Sequence, residues 1–262
     1  MIPKYLYHYT KIDTLKAIIE SKNIRFKRLD LLNDPLEGIV KIDNNFIEFR
    51  KKAFCSCWTP EKEESMLMWS MYTGKNMDGV RIKMNSCMFA TNFSSVYESD
   101  SGFYPVENIA PVNYEGYHTQ TEEPVTIHNV YGPIKIQYVD MTSQIYEKVI
   151  SSENLKADFQ DFSCGADLKE LGIRKLKCWI GEKEWRYMIW PFSFIGKFKT
   201  GTINNSALKT GIEYIDVPYK KDIEEIMLGP GVNKYKNIEL SNWLDQQGIR
   251  VRLIPSSIKI KF

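Results

Sequence analysis

No stretch of this sequence approaches the ~20 consecutive apolar residues that cross a membrane, and its start carries no apolar signal run. A Walker A loop, the Rossmann glycine fingerprint, a zinc-protease helix and a nucleophile elbow are all missing, which takes support from the common nucleotide-binding and hydrolase folds. Histidine is scarce: His8, His118 and His128 are the three, and none has the spacing of a metal-binding helix. The five cysteines, Cys55, Cys57, Cys87, Cys164 and Cys178, form an odd set with no framework spacing. That usage fits a reducing compartment, so a cytoplasmic protein is expected. Cys55 and Cys57 would share one face of a strand, but no nearby Cys or His completes a four-ligand zinc set. No metal is expected. Charge of one sign is also lacking. A net charge of +2 leaves no chain-wide footprint for nucleic acid, although a local basic groove stays open.

What is present is an ordinary globular composition rich in aromatics. Of 262 residues, 43% are hydrophobic and 26% charged, enough for a sizeable core. Aromatics reach 13%, with fifteen Tyr and six Trp, which supply core packing and stacking platforms alike. Residues 5–9 read as a strand, and Thr10 with Asp13 as the N-cap and acidic partner of a helix bearing Leu15, Ile18 and Ile19. Lys22-Asn23 closes that helix, and 24–28 alternates as a strand. Asn33-Asp34-Pro35 is a turn, with a helix from Leu36 or later. Strands are expected at 53–58, 79–84, 134–139, 185–190, 212–217, 223–228 and 249–254. Helices are expected at 63–72, within 142–171, and at 234–247 before Gly248. Residues 91–131 have little periodicity and read as long loops or irregular strands. The expectation is one α+β domain over 1–262, with mixed, largely antiparallel sheets and flanking helices.

Several residues could carry chemistry. His8 sits between Tyr7 and Tyr9 on the first strand and could donate to a ribose hydroxyl, with Thr10 at the rim. Equally, His8 could bond a nearby carbonyl while Thr10 serves only as a cap. Trp69 and Tyr72 are three apart and share a helix face, so they could wall a flat heterocycle or simply pack the core. Glu182, Glu184 and Arg186 alternate and would project from one strand face, which a solvated sheet surface also explains. In the catalytic reading Glu184 holds a ribose hydroxyl and stabilises an oxocarbenium-like transition state. Glu182 then steers or deprotonates the acceptor, and Arg186 keeps a carboxylate ionised. Asn33-Asp34-Pro35 with Glu37 is a compact polar turn that lines a pocket or fixes two elements.

Taken in order, Tyr7 to Thr10, Asn33 to Glu37, Met68 to Tyr72 and Glu182 to Arg186 resemble the pattern of a widespread microbial domain family of unknown function. That pattern runs Tyr-His-Tyr-Thr, Asn-Asp-Pro-x-Glu, Met-Trp-x-x-Tyr and Glu-x-Glu-aromatic-Arg. The resemblance spans most of the chain and implies no particular activity. A second resemblance is to the His-Tyr-Glu type of the ADP-ribosyltransferase superfamily, carried by His8-Tyr9-Thr10, Tyr72 and Glu184. It implies an ADP-ribosyltransferase-like fold, with His8 binding ribose, Tyr72 stacking on nicotinamide and Glu184 catalytic. NAD would be the substrate. The superfamily's serine-containing central strand is not recognisable here.

These readings favour ADP-ribosyl transfer from NAD to a macromolecule, protein or nucleic acid, or NAD hydrolysis. A toxin or phage-defence role with an antitoxin or regulatory partner follows from the resemblance alone. The competing class is a non-enzymatic module that holds a nucleotide or nucleic-acid end. A nuclease would need clustered acidic metal ligands, and the acidic residues here are dispersed in sequence.

Overall fold

Alternation of apolar and polar side chains builds two sheets that share one core. The computed structural model describes residues 2–42, 45–51, 53–89, 96–99, 102–105, 130–146, 161–164, 172–189, 201–204 and 213–261. Strand β1 (Tyr5–Thr10) leads into helix α1 (Ile12–Ser21) and strand β2 (Asn23–Arg28). Strand β3 (Phe54–Trp58), helix α2 (Met66–Tyr72) and strand β4 (Val80–Asn85) follow. Later come β5 (Tyr131–Lys135), β6 (Trp185–Ile189), β7 (Tyr214–Pro218), β8 (Glu225–Leu228), α3 (Lys234–Gln246) and β9 (Arg252–Pro255). One sheet has the order β1-β4-β8-β9 and the other β7-β2-β3-β6-β5. Only β8 and β9 run parallel; every other pairing in the two sheets is antiparallel. The chain is therefore α+β with largely antiparallel sheets.

Leu6, Ile82 and Ile226 from the first sheet meet Phe26, Phe54, Trp58 and Tyr187 from the second in a single buried cluster. Leu15, Ile18 and Ile19 of α1 and Leu240 and Leu244 of α3 close it. These helices bury their apolar stripe because their own turns cannot exclude water from it. Tyr7 of β1 and Thr59, just past β3, exchange backbone hydrogen bonds of 2.8 and 2.9 Å that tie the two sheets together.

Several local expectations change. Thr10 remains in the β1–β4 ladder opposite Val80 and is buried, so Lys11 takes the N-cap position of α1 without a side-chain bond. No α-helix lies between Leu36 and Phe54 among the described residues: Gly38 is left-handed, Ile39–Ile42 pairs with Asn45–Glu48, and Phe49–Lys51 forms a single 3-10 turn. The 63–72 helix starts at Met66, where the Ser65 hydroxyl accepts the Met68 N–H at 3.3 Å. The 134–139 strand is two, Tyr131–Lys135 and Gln137–Val139: the Ile136 N–H still donates to the Glu184 carbonyl at 3.0 Å, but the Gln137 N–H donates to the Ile173 carbonyl at 2.8 Å and 137–139 pairs with Arg174–Leu176. Within 142–171 the described pieces are a short helix, Ser143–Tyr146, and a strand, Asp161–Cys164. His118, His128 and most of the irregular middle lie outside the described residues. No described helix is long and apolar enough to cross a membrane.

Candidate functional site

Strand β6 sorts its side chains by alternation: Tyr187 and Ile189 enter the shared core, while Arg186 and Met188 lie opposite Cys57 and Cys55 on the other face of the sheet. That second face is buried as well, so Arg186 has no solvent exposure. Burying a guanidinium demands compensating charge. Arg186 donates through Nε and Nη2 to Glu184, the latter at 3.0 Å, and through Nη1 to the Gly172 carbonyl at 2.7 Å.

The approach to β6 is not a strand. Lys177–Glu182 forms a 3-10 helix, and Lys183 is left-handed with its N–H on the Ile180 carbonyl. Glu184 then precedes the strand, its N–H donated to the Tyr138 hydroxyl at 2.8 Å. Glu182, Glu184 and Arg186 thus do not project from one solvated strand face; the turn folds them into the interior. Lys175 joins them. Its ammonium lies 2.6 Å from Glu182, 2.8 Å from Glu184 and 3.0 Å from Glu37, and is almost fully buried. Glu37 also meets Arg186 at 2.7 Å, both contacts being at ion-pair distance without hydrogen-bond alignment. Among the described residues, three carboxylates against two cations leave one formal negative charge over in a buried cluster.

The two motif carboxylates differ in their partners. Glu184 accepts from Arg186 twice and lies at ion-pair distance from Lys175. A carboxylate offers about four lone-pair sites, and the guanidinium takes one on each Glu184 oxygen. Burial alone would raise the Glu184 pKa; Arg186 and Lys175 outweigh that and lower it to about 2. Glu182 accepts only from Lys175 and from the Tyr72 hydroxyl, at 2.6 and 2.5 Å. It keeps room for a further donor. Burial and the Glu182 charge push the Tyr72 phenol well above its usual range. Helix α2 carries Tyr72 to Glu182, with Leu67 Cδ2 lying against Gly181. Contact with the Cys55 sulfur at 3.8 Å and burial raise the Cys57 thiol, which stays protonated.

Of the residues singled out by sequence, Tyr72, Glu182, Glu184 and Arg186 come together. His8, Thr10 and Trp69 do not join them. His8 lies on the core-facing side of β1 with Leu6, opposite Ile82. Its ring packs on Trp58 with centroids 5.1 Å apart, and Nδ1–H donates to the Cys57 carbonyl at 2.8 Å. With Nδ1–H committed and burial lowering its pKa, the neutral ring presents Nε2 as an acceptor, not the expected donor. Trp69 is fully buried; its N–H donates to Glu64 at 3.0 Å and its ring meets Tyr9 edge-on at 4.7 Å. No ligand can stack on it in this arrangement.

Sequence reading missed Lys175 and Tyr138 and considered Cys57 only for zinc. Lys175 stands in an Arg-Lys-Leu-Lys run that looks like solvated surface. Glu37 was marked by its Asn-Asp-Pro-x-Glu turn but not by its chemistry. Among the described residues no set of three or more His, Cys, Asp or Glu could hold a metal ion; the Lys175 ammonium occupies the place between the glutamates. No family model, curated protein or solved structure matches this chain.

Proposed function

We propose that this chain cleaves the N-glycosidic bond of NAD and passes ADP-ribose to a macromolecular acceptor or to water, on an ADP-ribosyltransferase-like scaffold. The supporting observation is the buried cluster in which Lys175 gathers Glu182 and Glu184, with the Tyr72 hydroxyl on Glu182 and one negative charge in excess. When the C1′–N bond breaks, its electron pair neutralises the pyridinium and positive charge moves to the ribosyl carbon. A fixed negative charge in a dry site stabilises that transition state more than the ground state. Glu184, paired with Arg186 and Lys175, acts by charge; Glu182 meets the acceptor through the Tyr72 hydroxyl that it holds. His8 is left a structural role at the sheet seam. A toxin or defence effector held by a regulatory partner would use such an activity.

The test is nicotinamide release from NAD by wild type and by Glu184→Gln, with cell extract as acceptor. Wild type should release nicotinamide, and the variant should lose roughly a hundredfold or more in turnover. The burial of Glu184 favours one competitor, a nucleotide-binding module without turnover. NAD binding with no release by wild type would select it, and no binding at all would remove NAD from consideration.

A further inference from the structure

We infer that Tyr72 is a proton relay between the acceptor and Glu182, so that its hydroxyl, and not its ring, does the chemical work. This rests on the NAD-cleaving reading above. Glu182 is 2% exposed, so an acceptor bound from solvent cannot reach its carboxylate directly. Tyr72 is only partly buried and contacts Glu182 by donating its hydroxyl hydrogen to Oε1 at 2.5 Å. Asn33 Nδ2 points to the same phenol oxygen at 3.5 Å, which leaves one lone pair for an incoming O–H or N–H. Both ends of the relay are fixed. Lys175 holds the other oxygen of Glu182 at 2.6 Å, and the last turn of α2 is pinned where the Thr73 hydroxyl donates to the Trp69 carbonyl at 2.6 Å.

The step balances. The acceptor oxygen forms its bond to C1′ as the C1′–N bond breaks, with that electron pair going to nicotinamide. The acceptor proton passes to Tyr72 Oη while the proton of Tyr72 passes to Glu182 Oε1. Glu182 ends neutral and later returns the proton to solvent. A passing role for Tyr72 also explains why its phenol is bonded to a carboxylate and kept protonated.

The experiment compares wild type, Tyr72→Phe, Tyr72→Leu, Glu182→Gln and the Tyr72→Phe/Glu182→Gln double variant as full chains, reading nicotinamide release against NAD concentration. The relay requires Tyr72→Phe to keep the wild-type KM while its turnover falls about a hundredfold or more. The double variant should lose no more than the worse single one, because both changes break the same chain. Turnover of Tyr72→Phe within roughly threefold of wild type, with a raised KM in Tyr72→Leu, would overturn the relay and leave Tyr72 a stacking platform. Additive losses in the double variant would overturn it also. A silent wild type would defeat the NAD reading and the relay together, whereas an active wild type with an active Tyr72→Phe defeats only the relay.

Discussion

At the scale of single residues, Lys175 decides the state of the cluster. Three carboxylates lie within 3.0 Å of its ammonium, all in the interior. Removing one partner of a buried ion network costs more than the network contributes, because the remaining charges stay desolvated. Lys175→Met should therefore destabilise the protein by about 3–5 kcal/mol in urea unfolding. Adding Glu182→Gln to that variant removes one stranded charge and should recover part of the loss, a coupling that a double-mutant cycle reads directly. The residue scale is also where sequence reading failed most. A lysine between an arginine and a leucine has the look of a surface residue, and only tertiary burial sets it among three glutamates. Glu182, Glu184 and Arg186 were legible as a group because polar alternation beside Trp179 and Trp190 is unusual in a sheet.

At the scale of elements, the site depends on how β6 begins and what flanks it. Gly132 packs against that strand: a Cβ there would lie 2.5 Å from the Arg186 carbonyl and 3.2 Å from the Tyr187 Cα, and its φ of +125° is one that side chains rarely adopt. Gly132→Ala should cost about 1–3 kcal/mol and lower the melting temperature. The strain falls on the residue pair that carries the cluster on one face and the core on the other. Strand existence was readable throughout the two large sheets, where period-two alternation survives, but not in the short pairs Ile39–Ile42 with Asn45–Glu48 and Asp161–Cys164 with Gly201–Asn204. Strand ends were less legible. The 185–190 strand begins where expected, at Trp185, and does not run back through Glu182 because Lys183 turns left-handed; that turn, not alternation, converges Glu182 and Glu184. The helix expected after Leu36 gives way to a hairpin, with Glu37 drawn into ion pairs just before it. A tertiary contact of that strength outweighs a few tenths of a kcal/mol of local propensity per residue.

For the whole molecule, the buried charges tie stability to pH. The Glu184 carboxyl titrates at about 2 in the fold against an ordinary 4.5, so its contribution is complete above pH 4.5 and is lost as pH falls toward 2. The gap in urea midpoint between wild type and Glu184→Gln should narrow across that window. His8 acts in the same direction at higher pH. Burial lowers its pKa below the ordinary 6.5, so the unfolded chain takes up a proton first and stability declines as pH falls through and below 6.5. His8→Phe should flatten that upper limb of the profile.

The sequence by itself determined the mixed α+β character, most strand positions, the apolar stripes of α1 and α3, and the grouping of Glu182, Glu184 and Arg186. Those follow from periodicity and local chemistry, which act over a few residues. Which face of each sheet is covered was left to the tertiary structure. It sent His8 and Thr10 toward the shared core, sealed Trp69 beneath Tyr9, and enclosed the glutamates with Lys175 on the opposite face of β3 and β6. Side-chain direction on a strand is local, but burial depends on what the distant chain lays over it.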